Sequence, residues 1–388
     1  MKLTIFVALI SAGFMLPKLP ARAVETGQPI LQRIVFLGDS ITDGHTYPLL
    51  VQQALRAAGQ PVPIVINAGI GGDTAKGTSA RLERDVLFYK ATLVTLSAGI
   101  NDALQDVPLA EYSLSITAIA DRLRAAKIPL LILTTTIYSA KHAAGEKRAD
   151  EYNAWLRTFA AVRGLKIAEV NALFTKTRAE KGETFIMETD GVHPNWEGQH
   201  LIARAVLDAL GYPDLAAPRQ LKLSVMPGVL PVWRMRVATE DKPLDAEAVQ
   251  KIMQDDSAQG QAPKGQTPTN WKEYSLPETT PQEHPWNEQE RQRGFALSLD
   301  KIIAPGKSWQ GLAALENKST QPKVMFFNTG AQLQSVWLNG ERIYQHTQWR
   351  GWHAGRERIA ATLKPGLNAV FIETGAQFFL SVTDDNQW

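Results

Sequence analysis

A serine follows directly after a short apolar run near the start of the chain. Gly38, Asp39 and Ser40 come after residues 34–37, which read Ile-Val-Phe-Leu. Such a run predicts a buried strand that ends in a sharp turn. In open α/β folds the carboxyl ends of the strands border the ligand crevice, so Ser40 is predicted to lie there, near the start of a helix. Because Gly-Asp-Ser also forms ordinary turns, the prediction depends on what the rest of the chain places beside it.

Three further stretches contain residue types that suit catalysis. They read Asn-Ala-Gly-Ile-Gly-Gly-Asp-Thr at 67–74, Gly-Ile-Asn-Asp at 99–102 and Asp-Gly-Val-His-Pro at 190–194. The first two follow predicted strands, and the third precedes the last predicted helix of this half. Because the carboxyl ends of parallel strands share one edge of a sheet, we expect all these stretches to converge there.

The residue types in these stretches predict nucleophilic catalysis. A serine hydroxyl is a weak nucleophile until a neighbouring base accepts its proton. His193 is the candidate base, and Asp190 can hold the second ring nitrogen and stabilise the imidazolium. A developing oxyanion needs hydrogen-bond donors, which the backbone N–H of Ser40, the backbone N–H of Gly72 and the side-chain amide of Asn101 would supply.

These stretches, in this order and at this spacing, resemble the signature blocks of the SGNH hydrolases, the GDSL family of esterases and lipases. The resemblance covers residues 32–210. It implies a three-layer α/β/α sandwich with a flavodoxin-like sheet. It also implies that carboxylic esters are hydrolysed with neither a metal nor an organic cofactor.

The resemblance assigns roles residue by residue. It implies that Ser40 is the nucleophile and that Asp190 and His193 complete a catalytic triad. It places Ser40, Gly72 and Asn101 in the oxyanion hole. The block around Gly72 is the loosest match, because the neighbouring residue 71 is also a glycine and could present its N–H instead.

Apolar strands alternate with amphipathic helices between residues 33 and 210. This alternation predicts βαβ units, a mostly parallel sheet and helices on both of its faces. The predicted strands are 34–37, 64–67, 93–97, 130–134 and 165–169, and the predicted helices are 48–58, 79–88, 109–126, 148–162 and 195–210.

The pattern changes near residues 211–213, Gly-Tyr-Pro. Short strand-like segments follow at 221–225, 232–237, 324–327, 336–338, 369–372 and 378–382. Asn339-Gly340 predicts a type I′ hairpin turn, and Leu-Lys-Pro-Gly-Leu at 363–367 predicts another turn. This half is predicted to be an all-β antiparallel sandwich, and its pattern resembles the galactose-binding-like jelly-roll domains. A polar tract at 241–281 contains residues 259–265, which are predicted to form an exposed, mobile loop.

The first residues have the features of a secretory signal peptide. Lys2 precedes the apolar run 3–10, and Ala21-Arg22-Ala23 is a small-x-small cleavage signature. The apolar run is shorter than the about 20 residues that a membrane span needs. We therefore expect a signal peptide over 1–23 that is cleaved after Ala23, and a secreted or periplasmic bacterial protein without stable membrane insertion. A catalytic domain over 24–213 and an accessory β-sandwich over 214–388 would follow.

Charge and cysteine content exclude several classes. Loss of the leader removes three of the 41 basic residues and none of the 39 acidic ones, which leaves a formal net charge of −1. This balance provides no electrostatic case for nucleic acid as a partner. The chain has no cysteines, which excludes a thiolate nucleophile, a zinc–cysteine site and disulfides.

Other functions of the same residues are less well supported. Residues 69–74 partly imitate a dinucleotide fingerprint, but the last glycine and the acidic ribose ligand are missing. His193 and His200 do not form a His-Glu-x-x-His pattern, so His200 is predicted on a helix surface. The Gly-x-Ser-x-Gly elbow is absent from the sequence, which argues against an α/β-hydrolase fold.

Polar and aromatic residues near the predicted site have structural alternatives. Asp43, His45 and Asp102 are expected to cap helices and to hydrogen-bond to loops. Trp196 either borders the pocket or belongs to the core. Some aromatic residues of the second half could stack on sugar rings, although such residues more often belong to a core or an interface: Trp337, Tyr344, Trp349 and Trp352.

Export and the appended sandwich favour a carbohydrate O-acetylesterase as the expected function. Its substrate would be a small-molecule or polysaccharide ester, and the sandwich would bind glycan or only pack beside the catalytic domain. One alternative is a broad short-chain esterase or lipase-like enzyme, and acyl transfer to a sugar is another. A third alternative is a non-catalytic glycan-binding protein in which the hydrolase half is only a scaffold.

Overall fold

The structure is a computed structural model that describes residues 32–238, 244–259, 271–276, 285–347 and 351–385. The predicted signal peptide, residues 260–265 of the predicted mobile loop, and Trp349 lie outside these residues. Among the described residues, no helix is both long and apolar enough to cross a membrane.

The first half of the described chain alternates strands with helices. Its elements are β1 (Arg33–Gly38), α1 (Ser40–Asp43), α2 (Thr46–Ala57), β2 (Ile64–Gly69), α3 (Ala75–Ala80), α4 (Leu82–Asp85), β3 (Leu93–Ser97), α5 (Ile100–Leu104), α6 (Leu109–Ala125), β4 (Leu130–Leu133), α7 (Ala143–Arg163), β5 (Lys166–Ala168), α8 (Val170–Lys181) and α9 (Trp196–Leu210). The strands form one parallel sheet in the order β2-β1-β3-β4-β5. This is the flavodoxin-like order, and the predicted parallel-sheet α/β domain is confirmed.

Two helical layers cover this sheet. Helices α2, α8 and α9 pack together, and α3, α6 and α7 form the other group. The central strands are apolar and buried along almost their whole length because both faces are covered. Strand β1 lies between β2 and β3, so the strand order reverses beside β1. A ligand crevice is expected at this reversal, outside the carboxyl ends of the strands.

The structure corrects two helix predictions. The continuous helix expected over 79–88 is broken into α3, α4 and a short 3-10 turn at Leu87–Tyr89. Arg81 lies at the break because its guanidinium turns inward and donates to the carbonyls of Gly38 and Ala68, each at 2.7 Å. Helix α8 was not predicted, although it packs directly against α9.

The described residues of the second half form one continuous antiparallel sheet and three helices. Its elements are β6 (Val232–Val237), α10 (Ala246–Gln259), β7 (Lys272–Ser275), α11 (Pro285–Arg293), α12 (Leu299–Ile302), β8 (Trp309–Asn317), β9 (Lys323–Leu338), β10 (Glu341–Gln345), β11 (Glu357–Leu363) and β12 (Gly366–Thr383). The seven strands are ordered β10-β9-β12-β8-β6-β7, and β11 also pairs with β9. An antiparallel β region is therefore confirmed, whereas the all-β prediction misses three helices. The jelly-roll resemblance stays a prediction.

Strand boundaries in this half differ from the predicted ones. The predicted pairs of short strands 324–327 with 336–338, and 369–372 with 378–382, are the ends of the long strands β9 and β12. The predicted strand 221–225 is wrong. Its Lys222 backbone instead pairs with the Gln53 side chain on α2, through bonds of 2.9 and 3.0 Å. The Asn339-Gly340 turn is confirmed, with φ of +53° and +89°.

Two of the four candidate sugar-stacking residues are core residues. Trp337 is buried beside Phe371, and its indole N–H donates to Ser335. Tyr344 is buried and its hydroxyl accepts a hydrogen bond from Arg356. Trp352 is half-buried against the cluster that contains Phe295 and Phe379. Burial therefore prevents Trp337 and Tyr344 from stacking on a sugar ring.

The two halves contact each other at several points besides the Lys222 segment. The Tyr89 hydroxyl donates to the Gly355 carbonyl at 3.1 Å, in a buried position. The Arg33 guanidinium donates to the Asp385 carbonyl at 2.8 Å. From here on we call residues 32–213 the α/β domain and the described residues from 214 onward the β-sheet domain. The contacts between them form an extended junction.

Candidate active site

The structure brings together the three residues predicted to form a triad. Ser40 Oγ lies 2.8 Å from His193 Nε2, and His193 Nδ1 lies 2.7 Å from Asp190 Oδ2. Ser40 follows β1, whereas Asp190 and His193 lie in the loop before α9. A hydroxyl, an imidazole and a carboxylate are thus connected in series at the expected edge of the sheet.

The loop before α9 keeps the Asp190 carboxylate ionised. Its Oδ1 accepts the backbone N–H groups of Val192 and His193, at 2.8 and 2.9 Å. Partial burial acts to raise the pKa of Asp190, but these bonds and the His193 ring outweigh it and lower the pKa below its usual value. The side chains of Asp190 and His193 remain 51% and 42% exposed, so substrate can reach them.

The turn that presents Ser40 is tightly packed. A Cβ atom at Gly38 would lie 2.3 Å from the Thr42 hydroxyl and 2.8 Å from the Ser97 carbonyl, so only glycine fits. The Asp39 side chain caps α1 by accepting the Ile41 N–H at 3.0 Å. Burial raises the pKa of Asp39 to about 7. Ser40 is the first residue of α1, where a backbone N–H has no partner within the helix.

The candidate oxyanion donors Gly72 and Asn101 are connected through one turn. Residues 70–73 form a turn in which the Asp73 N–H donates to the Ile70 carbonyl at 3.1 Å, and Gly72 has φ +78°. Such a turn requires a positive φ at its third residue and does not use the N–H of that residue. One N–H of the Asn101 amide donates to the Asp73 carbonyl at 2.9 Å. The other N–H remains available for a substrate oxygen.

Buried ionic contacts support the turn that contains Gly72. Asp73 accepts from Arg81 Nε at 2.7 Å, and both side chains are largely buried. The carboxylate of Asp102 accepts the N–H of Ala75 at the start of α3, at 3.0 and 3.1 Å. This is the capping role predicted for Asp102, and burial raises its pKa to about 6. Arg81 was not predicted from the sequence.

The comparisons with known proteins agree with this geometry. Residues 36–201 match the model of the GDSL-like lipase/acylhydrolase family. This part of the chain is therefore similar to the GDSL-like hydrolases. An acetylxylan esterase of Geobacillus stearothermophilus is 27% identical over 214 residues, which are 47% of this chain and 94% of that protein. Esterase TesA of Pseudomonas aeruginosa is 27% identical over 183 residues, 45% of this chain and 85% of that protein.

Solved structures align with the same part of the chain. The structure of Axe2, an acetylxylan esterase from Geobacillus stearothermophilus, is 23% identical to this chain and has a TM-score of 0.44. The alignment covers 48% of this chain and 97% of the Axe2 chain. A lipase/acylhydrolase from Enterococcus faecalis is 24% identical, covers 48% and 98%, and has a TM-score of 0.42. The family match and the two esterase relatives found by sequence make this protein a carboxylic ester hydrolase.

Two histidines beside the candidate active site have structural partners. His45 is buried with φ +60°, and its Nδ1 accepts from the Asn67 amide at 2.9 Å. Burial, together with the positive charge of Arg293, holds the pKa of His45 well below its usual range. The ring nitrogens of His200 lie 2.9 Å from the carbonyls of Trp196 and Pro218. His200 is half-buried rather than a surface residue.

In the described part of the chain, no group of three or more histidine and acidic side chains could hold a metal ion. Trp196 packs partly buried against the α/β core, with its ring 4.8 Å from that of His200. Of the two roles open for Trp196, the core role therefore agrees with its contacts.

Sequence reasoning missed the partners of Asp43. Loop hydrogen bonding was expected for Asp43, but its carboxylate accepts from Trp352 and His353 of the β-sheet domain. No local pattern indicates such a pair, because Asp43 and His353 are 310 residues apart. Asn67 was also missed, although its amide bridges the Asp43 carbonyl and the His45 ring.

Proposed function

We propose that this protein is a serine esterase that removes acetyl groups from carbohydrate esters through an acyl-Ser40 intermediate. The observation that carries the proposal is the unbroken series of hydrogen bonds from Ser40 through His193 to Asp190, with distances of 2.8 and 2.7 Å. This arrangement is the one that activates a serine hydroxyl for attack on an acyl group.

The first half of the reaction forms the acyl-enzyme. Ser40 Oγ attacks the carbonyl carbon of the ester while its proton passes to His193 Nε2. The ionised Asp190 carboxylate stabilises the resulting imidazolium through Nδ1. The tetrahedral oxyanion accepts hydrogen bonds from the backbone N–H groups of Ser40 and Gly72 and from the Asn101 amide. His193 then donates its proton to the alcohol oxygen, and the alcohol leaves.

The second half returns the enzyme to its starting state. His193 takes a proton from water, whose oxygen attacks the acyl carbon, and the same three donors hold the oxyanion. Collapse releases the carboxylic acid and returns the proton to Ser40 Oγ. An alcohol that takes the place of water would give acyl transfer to a sugar. The half-exposed His193 ring leaves room for either acceptor.

A sugar acetate is the substrate class favoured by the sequence relatives. The Geobacillus stearothermophilus relative is named for acetylxylan and aligns over 94% of its length. The Pseudomonas aeruginosa relative is named only as an esterase and aligns over 85%, which supports a broad short-chain esterase as the second candidate. The β-sheet domain would bind glycan in the first case.

Substrate selectivity tests the proposal. Acetate release from acetylated xylan and other acetylated polysaccharides would be measured beside hydrolysis of p-nitrophenyl acetate, butyrate and octanoate, with Ser40→Ala as the control. We expect acetate release from at least one polysaccharide and the fastest p-nitrophenyl turnover with acetate. Faster turnover of octanoate would favour the broad esterase. Glycan binding without ester hydrolysis by the wild type would make the protein a glycan-binding protein instead.

We also propose that the protein is exported, with cleavage after Ala23. The support is the basic, apolar and small-residue pattern of residues 1–23. Expression of the full chain in a bacterium, followed by N-terminal sequencing of the periplasmic or secreted product, tests this. A mature N-terminus at Val24 is the expected result, and an intact Met1 on a cytoplasmic product would contradict it.

A further inference from the structure

One carboxylate joins three parts of the molecule next to the nucleophile. Asp43 ends α1, three residues after Ser40. Its Oδ1 lies 3.0 Å from His353 Nδ1 and 3.2 Å from the His353 backbone N. The backbone N–H of Trp352 also donates to this carboxylate, at 3.3 Å. On the other side, Oδ2 accepts the Gly71 N–H at 3.3 Å.

The contact is buried and closely packed. The side chains of Asp43 and His353 are only 11% and 4% exposed. A Cβ atom at Gly69 would lie 2.2 Å from the Asp43 backbone N, and one at Gly351 would lie 2.9 Å from the Gly69 carbonyl. Glycines at these positions allow α1, the end of β2 and the β-sheet domain to approach each other. Water is therefore largely excluded from the carboxylate.

The loop that carries His353 is held by its own domain. The Trp352 carbonyl accepts the Ala331 N–H at 2.9 Å, and the Arg356 N–H donates to the Thr329 carbonyl at 2.9 Å. These bonds tie residues 352–356 to strand β9. The position of His353 is thus determined by the β-sheet domain, whereas its ring contacts Asp43 of the α/β domain.

We propose that His353 is a positioning residue for ester hydrolysis, which the β-sheet domain contributes to the active site through Asp43. This inference rests on the proposed function of Ser40. An ionised carboxylate only accepts hydrogen bonds, so His353 Nδ1 must carry the proton and donate. His353 thereby fixes the Asp43 carboxylate, whose second oxygen holds the Gly71 N–H.

Gly71 transmits this constraint to the reaction. A Cβ atom at Gly71 would lie 4.0 Å from Ser40 Cβ and 3.9 Å from Asp43 Oδ2. Gly71 therefore sits between the nucleophile and the carboxylate, and the next residue is the candidate oxyanion donor Gly72. Donor positions matter most in the transition state, when the negative charge develops on the substrate oxygen. Loosening of Gly71 should therefore lower kcat more than it changes KM.

Three variants of His353 test the inference with p-nitrophenyl acetate. We expect His353→Ala to lower kcat about 10-fold, less than the 10²–10³-fold typical of losing an oxyanion donor itself, with KM within about twofold. His353→Asn should recover most of the activity because its Nδ2–H can replace Nδ1–H. His353→Gln should not, because its amide lies one bond further out. Melting temperatures of all three are measured alongside.

A merely structural role would give a different result. If His353 only holds the domains together, Asn and Gln would have similar kcat values and losses would follow melting temperature. Tyr89→Phe is the matched control, since it removes another buried bond between the domains, to Gly355, and should leave kcat unchanged. If His353→Ala does not fold, the kcat values of His353→Asn and His353→Gln still distinguish a positioning role from a merely structural one.

A double-mutant cycle with Asp43→Asn identifies the route of the effect. If His353 acts through Asp43, the loss caused by His353→Ala in the Asp43→Asn background should be much less than 10-fold. Additive losses, or a His353→Ala kcat within twofold of wild type, would overturn the inference. Ser40→Ala separates the two hypotheses: if it remains active, the proposed function fails, whereas an inactive Ser40→Ala with unaffected His353 variants rejects only the role of His353.

Discussion

Two aspartate–histidine pairs lie next to Ser40, and they differ in sequence separation, exposure and distance, although each joins a carboxylate to an imidazole. Asp190 and His193 are three residues apart, about half exposed, and joined at 2.7 Å. Asp43 and His353 are 310 residues apart, almost wholly buried, and joined at 3.0 Å. In both pairs a carboxylate oxygen faces a ring Nδ1. The difference in exposure therefore lets Asp190 and His193 exchange protons with substrate, whereas Asp43 and His353 can only fix the positions of neighbouring groups.

The largest expected effect is that of Ser40→Ala, because this hydroxyl is the proposed nucleophile that the exposed pair activates. We expect kcat/KM for p-nitrophenyl acetate to fall by about 10⁴-fold or more. Ser113→Ala, a half-buried residue of α6 whose hydroxyl donates to the Ala110 carbonyl, should remain fully active and is the control. Substantial activity in a folded Ser40→Ala would remove the basis for comparing the pairs.

Asp190→Asn tests the exposed pair directly. The variant loses the charge that stabilises the His193 imidazolium, and its amide can favour the wrong ring tautomer. We expect kcat to fall by about 10²–10⁴-fold with little change in melting temperature. Asp150→Asn, an exposed carboxylate of α7, serves as the control for loss of charge. A loss below tenfold would mean that the exposed pair is dispensable.

Asn101→Ala tests the side-chain oxyanion donor, which lies beside the backbone donor that the buried pair is inferred to position. Loss of its amide removes one oxyanion donor, so we expect kcat to fall by about 10²–10³-fold while KM changes little. Steady-state kinetics with p-nitrophenyl acetate measure both constants. An increase of KM at constant kcat would instead indicate that Asn101 binds the ground-state ester.

Asp39→Asn addresses a third carboxyl group, buried beside Ser40. Because burial raises the pKa of Asp39 to about 7, the folded protein binds more protons than the unfolded chain between about pH 4 and pH 7. The free energy of unfolding contributed by Asp39 therefore falls as pH rises through this window. Asparagine can still accept the Ile41 N–H but cannot ionise.

We expect Asp39→Asn to gain about 2–3 kcal/mol over wild type when the pH is raised from about 5 to about 8. Urea unfolding of both proteins at the two pH values measures this gain. Asp150→Asn, whose carboxylate is exposed, should show no such gain. Parallel pH dependence of Asp39→Asn and wild type would mean that Asp39 is ionised in the folded protein.

Gln53→Ala gives the smallest expected effect. Its two bonds to the Lys222 backbone are exposed, so their loss should cost about 1 kcal/mol or less of unfolding free energy. We expect an unchanged kcat because Gln53 does not contact Asp43 or the residues around Ser40. A fall in kcat would show that any contact between the domains affects the site, which would weaken the special role of His353.

The α/β domain was largely predictable because its signals are local. Apolar runs locate β1, β3 and β4. Ser40 and Asn101 follow β1 and β3 beside turn glycines, and His193 lies in the loop before α9. The sheet then brings these residues together without further information. Arg81 shows the limit of this reasoning, because this charged residue of a helical pattern turns inward and donates to the carbonyls of Gly38 and Ala68. The hydrophobic periodicity of the sequence does not indicate partners so distant along the chain.

The β-sheet domain was less predictable for two physical reasons. Strands β9 and β12 change partners along their length, so the sequence pattern is interrupted where the chain stays extended, and each strand resembles two. His353 lies in a loop, and its contact with Asp43 exists only because the two domains meet there. A histidine in such a loop has the same local sequence whether it faces solvent or a buried carboxylate.

The position of β2 at the edge of the parallel sheet has a consequence for the isolated α/β domain. Residues 222–227 line a cavity of about 460 Å³ together with residues 62–65, which include the start of β2. A shortened chain that ends before this segment would leave the unpaired backbone of β2 open to strands from other molecules. We then expect aggregation of such a fragment, in addition to the lower kcat that follows from the loss of His353.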